Sequence, residues 1–226
     1  MATGGTLPRA ERVAAVCAHP DDETFALGAV LSAFAAAGAT LSLVCLTHGE
    51  ESTLGGGGRA GDLGAVRTSE LRAAARVLGI DRPAIHAFPD GGLAETPDDD
   101  LLAAVREPLA DRHADLVVVF DDTGVTGHPD HRRATWAAVS VAGDLGVPVL
   151  AWCLPLAVAD ALNAKFAAAF DGRRAHEVDL VVPVDRTLQL RAAMRHQSQF
   201  TGNEVLLRRL ELLGDREHLR WLVRPR

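Results

Sequence analysis

The tripeptide His-Pro-Asp occurs twice in this 226-residue chain, as His19-Pro20-Asp21 and His128-Pro129-Asp130. The first copy runs on into Asp22-Glu23 and the second into His131. Imidazoles and carboxylates are ligands of catalytic zinc, which takes three protein groups and keeps a fourth position open. His19 and Asp22 lie three residues apart, as do His128 and His131, so one turn can aim each pair at a single ion. These four candidates are one more than such a site needs, and spacing alone does not say which imidazole is spare. The spare group would serve proton transfer or stabilise developing charge. A His before Pro at a helix start is also a common cap. Repetition of the pattern, with an added His or Asp in each copy, favours a ligand cluster.

Each copy follows an apolar run and opens a helical pattern, with Pro near the first helical position, where its missing N–H is harmless. Strands are expected at 12–18, 40–47, 84–88, 115–120, 148–153 and 176–182. Helices are expected at 23–37, 67–78, 98–112, 129–144 and 185–199. Alternation at this spacing predicts a single Rossmann-like α/β domain over residues 1–226, three layers with a mostly parallel sheet covered on both faces. Ligands of such sheets bind beyond the carboxyl ends of the strands, where both His-Pro-Asp copies fall. Residues 1–11 read as flexible. Residues 52–66 carry six glycines in fifteen positions without the pattern of a phosphate-binding loop, and read as an active-site lid.

Composition narrows the partners. A net charge of −7 argues against a basic field for nucleic acid. The absence of Tyr removes the phenol as a catalytic group. Cys17, Cys45 and Cys153 lie in apolar runs at wide spacing, the pattern of inert core thiols in a reducing compartment. No apolar stretch reaches the roughly eighteen residues of a membrane span, and the N-terminal residues lack the apolar core of a signal peptide. A cytoplasmic protein acting on a small molecule is the expectation, with homo-oligomerisation left open.

Ala18-His19-Pro20-Asp21-Asp22-Glu23, followed by His128-Pro129-Asp130-His131, resembles the PIG-L/LmbE-type de-N-acetylases. Weaker similar elements occur in the same order: Thr47-x-Gly49-Glu50, Arg67-x-x-Glu70, Phe88-Pro89-Asp90-Gly91-Gly92-Leu93 and His196-x-Ser198-Gln199. The resemblance implies hydrolysis of an N-acyl amide on an amino sugar or related secondary metabolite by a Zn2+ enzyme, Fe2+ being an alternative. By the same resemblance His19, Asp22 and His131 hold the metal, Asp21 is the general base and His128, protonated, is the acid or oxyanion partner. Asp130 is expected to orient His128, and Arg67, Asp90, Glu50 and Thr126 to touch substrate. Thr126 stands where several family members carry a Tyr, and its hydroxyl is too short to replace a phenol. The alternatives are an amidase of cysteinyl-glucosamine thiol conjugates and a non-catalytic metal- or sugar-binding module. The presence of Asp21 and His128 argues against the latter, because merely holding a metal needs neither.

Overall fold

The computed structural model describes residues 5–54 and 60–225. In chain order the elements are β1 Arg12–Cys17, α1 Asp22–Phe25, α2 Gly28–Ala36, β2 Thr40–Thr47, α3 Ala60–Val77, β3 Ala84–Phe88, α4 Asp98–Asp111, β4 Leu116–Phe120 and α5 Pro129–Leu145. There follow β5 Val149–Pro155, α6 Leu156–Phe166, β6 Gly172–Arg173, a 3₁₀ turn at Ala175–Glu177, β7 Leu180–Pro183, α7 Thr187–Ala193, α8 Gln197–Phe200, α9 Glu204–Leu213 and β8 Arg216–Val223. The sheet runs β3-β2-β1-β4-β5-β8-β7, with the two-residue β6 beside β5. Pairing is parallel from β3 to β5 and antiparallel where β8 meets β5 and β7. This is the expected single α/β domain with a mostly parallel sheet.

The central strands are buried on both faces, which is why they read as continuous apolar runs. In β1 and just beyond, Val13, Ala15 and Cys17 enter one core, with Leu31, Phe34 and Leu71. Ala14, Val16 and Ala18 enter the other, with Leu101, Val105, Ala137 and Val141 of α4 and α5. That alternation is the two-residue period of a strand. Cys17, Cys45 and Cys153 are unpaired and buried. No helix among the described residues is long and apolar enough to cross a membrane.

Several expected boundaries change. The helix expected over 23–37 is two, because α1 ends at Phe25 and α2 starts at Gly28. The expected strand at 176–182 begins only at Leu180, and the expected helix at 185–199 breaks before Gln197. In the glycine-rich stretch, residues from Ala60 on are helical, so the expected lid is shorter; 55–59 lie outside the described residues. Residues 5–11 were expected to be flexible, but Gly5 N–H donates to Val181 O at 3.0 Å and Leu7 and Ala10 pack on the core. The first four residues of that stretch lie outside the described residues.

From β1 the chain proceeds to β2 on one side, and from β4 to β5 on the other, although β1 and β4 are neighbours. The crevice at this change of direction is where a doubly wound sheet binds ligands. Both His-Pro-Asp segments open into it.

Candidate active site

Beyond β1, the chain turns through His19 and Pro20 into the short helix α1. Asp22 closes this turn with its own side chain: Oδ2 accepts from the N–H groups of Ala18 at 3.2 Å and His19 at 2.9 Å. Its Oδ1 faces His131 Nε2 at 3.2 Å. Beyond β4, the loop to α5 includes a left-handed Val125 at φ 59°, an unfavourable state for a β-branched residue. Val125 is buried, and its carbonyl accepts from Asp171 N–H at 2.8 Å. His128 then caps α5, Pro129 takes the first helical position, and His131 turns back toward β1.

His19, Asp22 and His131 meet: one ligand atom from each lies within 4.8 Å of the others. The bonding of the outer ring nitrogens tests whether a metal suits them. His131 Nδ1 faces Thr126 Oγ1 at 2.7 Å and Gly124 O at 3.1 Å. His19 Nε2 faces Asp90 Oδ1 at 3.0 Å and Asp130 Oδ2 at 3.3 Å. With protons on these outer nitrogens, His19 Nδ1 and His131 Nε2 turn lone pairs toward each other at 3.1 Å. Lone pairs converging beside a carboxylate need a cation between them, a proton or a metal. Burial opposes a charged His19, yet the hydrogen bonds it donates to Asp130 and Asp90 and the charge of Asp22 push its pKa up to about 10. For Asp22, burial is outweighed by His131 and His19, which hold its carboxyl well below the usual range. The donor set and its outer hydrogen bonds fit a divalent ion.

Asp21 faces the same cavity and rests on Arg67, whose Nη2 lies 3.0 Å from Asp21 Oδ2. Burial pushes its pKa up to about 6, with Asp22 and Glu23 in the same direction and Arg67 and His196 opposing. A carboxylate near that value is a competent base at neutral pH. Arg67 itself is buried and donates to Gly49 O and Pro20 O, both at 2.5 Å. Its guanidinium lies so close to left-handed Gly49 that a Cβ there would collide with it. Arg67 is thus committed to holding Asp21, though it also lines the cavity.

The other expected substrate contacts divide. Asp90 lines the cavity, but its Oδ1 is on His19 and its Oδ2 accepts from Glu51 N–H at 2.9 Å. Glu50 does not line the cavity; its Oε1 accepts from Asp90 N–H at 3.1 Å and so supports the loop. Thr126 lines the cavity and spends its hydroxyl on His131, a metal-ligand candidate, at 2.7 Å.

The expected Asp130–His128 partnership is corrected. Asp130 is fully buried. Its carboxylate accepts from Gly91 N–H at 2.8 Å and Leu93 N–H at 3.1 Å, and reaches His19. It therefore orients a metal-ligand candidate in the turn after β1. His128 Nδ1 accepts the Asp130 backbone N–H at 3.2 Å, and its ring stands edge-on to His19 with ring centroids 4.7 Å apart, with no hydrogen bond to the Asp130 carboxylate among the described residues. Burial and the charges of His19 and His131 lower the His128 pKa. With Nδ1 accepting a backbone N–H, the ring proton of the neutral tautomer sits on Nε2, and burial works against the protonated His128 that the resemblance implied.

The cavity has a volume of about 420 Å³. Its rim includes Glu51, Ser52, Thr53, Leu54 and Gln199, which the sequence did not single out as site residues. Ser52 Oγ donates to Gln199 Oε1 at 2.6 Å, joining the start of the expected lid to α8. Glycine-rich continuation after Leu54 was the only signal for the first four. Gln199 was visible solely as part of a family-like element.

A doubly wound α/β sheet with a His/Asp cluster at its switch point that could hold a metal ion defines the class, a Rossmann-like protein. Within it, residues 14–142, more than half of the chain, match the family model PIG-L, GlcNAc-PI de-N-acetylase, and the chain belongs to that family. A relative from Rhodococcus opacus (strain B4), 1D-myo-inositol 2-acetamido-2-deoxy-alpha-D-glucopyranoside deacetylase, is 35% identical over 168 residues, covering 61% of this chain and 58% of its own length. The chain thus spans less than two thirds of that relative. The fold matches N,N'-diacetylchitobiose deacetylase from Pyrococcus horikoshii at a TM-score of 0.67 and 21% identity, covering 95% of this chain and 84% of the other. It also matches the 4-carboxy-2-hydroxymuconate hydratase of Pseudomonas putida at a TM-score of 0.70 and 18% identity, covering 96% and 97%.

Proposed function

We propose that this chain hydrolyses an N-acyl amide, most simply an N-acetyl group, on an amino sugar or related metabolite, using a divalent metal. One observation carries the reading: the His19–Asp22–His131 cluster, Asp21 and His128 all face one cavity. The fold alone does not choose the reaction, since a hydratase shares it. The relative from Rhodococcus opacus, a deacetylase of an acetamido sugar by name, supports amide hydrolysis. A cytoplasmic setting is supported by the free, buried thiols.

His19, Asp22 and His131 would hold the ion, Zn2+ by preference and Fe2+ as the alternative, because two imidazoles and a carboxylate suit both. Such an ion supplies Lewis acidity and lowers the pKa of bound water toward ~7. Asp21, steadied by Arg67, accepts a proton from the attacking water. His128 donates its Nε2–H to the oxygen that becomes negative. As the C–N bond breaks, Asp21 returns the proton to the leaving nitrogen, giving free amine and carboxylate. The proton comes from Asp21 rather than His128, because His128 Nδ1 is already an acceptor and its Nε2–H is spent on the developing oxyanion. The substrate contacts come from the 51–54 rim.

Metal analysis together with amine release from N-acetylglucosaminyl compounds and thiol conjugates tests the proposal. About one zinc or iron per chain and release from an N-acyl amino sugar are expected. A metal-free protein releasing no amine would overturn it in favour of a binding module.

A further inference from the structure

Glu23 and His196 are fully buried, and the mechanism above uses neither. Glu23 Oε1 lies 2.6 Å from His196 Nε2, while Glu23 Oε2 accepts the Asp21 N–H at 2.9 Å. Burying an ionisable pair carries a desolvation penalty that an apolar pair of the same volume avoids, so the arrangement needs a reason. The reason lies at Asp21, whose backbone sits at φ 115° and ψ −26°. A residue with a Cβ holds that conformation only where its surroundings impose it.

The peptide between Pro20 and Asp21 is gripped at both ends: Arg67 donates to Pro20 O at 2.5 Å, and Glu23 takes the Asp21 N–H. Beyond it, the Asp21 carbonyl accepts from Phe25 N–H at 2.7 Å and Thr24 N–H at 3.0 Å. His196 is fixed in turn. It packs edge-on against Phe25, with ring centroids 5.8 Å apart. The helix it caps is tied to α3 through Ser198, whose N–H and Oγ both donate to Glu70, at 2.9 and 2.6 Å.

We propose that Glu23 and His196 are positioning residues for Asp21, holding its peptide in the left-handed state that turns the carboxylate into the cavity. The pair makes α8, far along the chain, a support of the first His-Pro-Asp turn. The inference rests on Asp21 being the base, and the test separates the two. Metal content, kcat and KM are measured for the wild type, Asp21→Asn, Glu23→Gln, Glu23→Asp, the apolar double variant Glu23→Leu/His196→Phe, and that double variant combined with Asp21→Asn.

The apolar double variant is expected to keep its metal and a KM within about threefold of wild type while kcat falls about 100-fold, a typical share for a mispositioned base. Glu23→Gln keeps an oxygen for the Asp21 N–H and should stay within about fivefold of wild type. Glu23→Asp keeps the charge but is too short to bridge Asp21 and His196, so it should lose about tenfold or more in kcat. In the Asp21→Asn background the apolar replacement should add no further loss, because the group it positions is already gone. If the apolar pair does not fold, the Asp and Gln variants decide. Wild-type kcat in Glu23→Asp, or a full further loss in the Asp21→Asn background, would overturn the positioning role. Near-normal turnover in Asp21→Asn itself would instead overturn the base assignment beneath it.

Discussion

The two His-Pro-Asp segments share a tripeptide and a place in the fold, yet they do opposite things with it. In the first, Asp21 stands outside helix α1 in a left-handed conformation and faces the cavity. In the second, Asp130 is the second residue of α5, and its carboxylate is enclosed by the Gly91 and Leu93 N–H groups and His19. The histidines differ likewise. His19 is buried among three carboxylates, whereas His128 caps a helix and keeps Nε2 for the cavity. Only the fourth position is used alike, with Asp22 and His131 both turned inward to the cluster. In the proposed reaction, the backbone state at the Asp decides which copy supplies the base and which supplies a support. That state costs on the order of 1–3 kcal/mol, which the surroundings must offset.

Variants at matched positions sharpen this contrast. The largest effect is expected at the shared fourth position. His131→Ala should abolish stoichiometric metal and lower amine release by at least about 10³-fold, read by metal analysis beside turnover. Asp21→Asn should keep the metal and lose about 10³-fold in kcat. The pH profile checks the same group. Because only ionised Asp21 accepts a proton, kcat/KM should fall as pH drops through its pKa. A bound cation lowers that pKa from its metal-free value of about 6, so the acidic limb should lie at or below it.

His128→Ala should keep the metal and lose about 10²-fold in kcat, the share of one oxyanion donor. Metal loss there would exchange the two histidines' roles. The smallest effect is expected from Thr126→Val, which removes the hydroxyl behind His131 but leaves Gly124 O. Metal affinity should weaken by about tenfold, with saturated turnover nearly unchanged, as measured by chelator competition.

The placement of the site was legible because strand, Pro and helix follow one another at both copies, and a doubly wound sheet leaves few places for such turns to meet. The partner of Asp130 was not legible. It depends on the Gly91–Leu93 loop after β3, which the sheet order brings across β1, and no local pattern records that order. Glu23 was visible as the end of the first family-like motif but carried no role, since nothing nearby in sequence announces that His196 closes over it. The residues beyond Gln199 carried no expectation, although α9 and β8 complete the molecule. β8 enters the sheet antiparallel and brings the buried Glu217 against Trp152 Nε1 at 2.7 Å.

The contrast between the two aspartates is tested most directly by titrating zinc into metal-free Asp21→Asn and Asp130→Asn while following amine release. Asp21→Asn is expected to bind zinc as the wild type does and to stay inactive at saturation. Asp130→Asn, with His19 less firmly held, is expected to bind about 10–100-fold more weakly and to recover turnover to within a few-fold once saturated. A saturated Asp130→Asn as inactive as Asp21→Asn, or an active Asp21→Asn, would contradict the division of roles between the two turns.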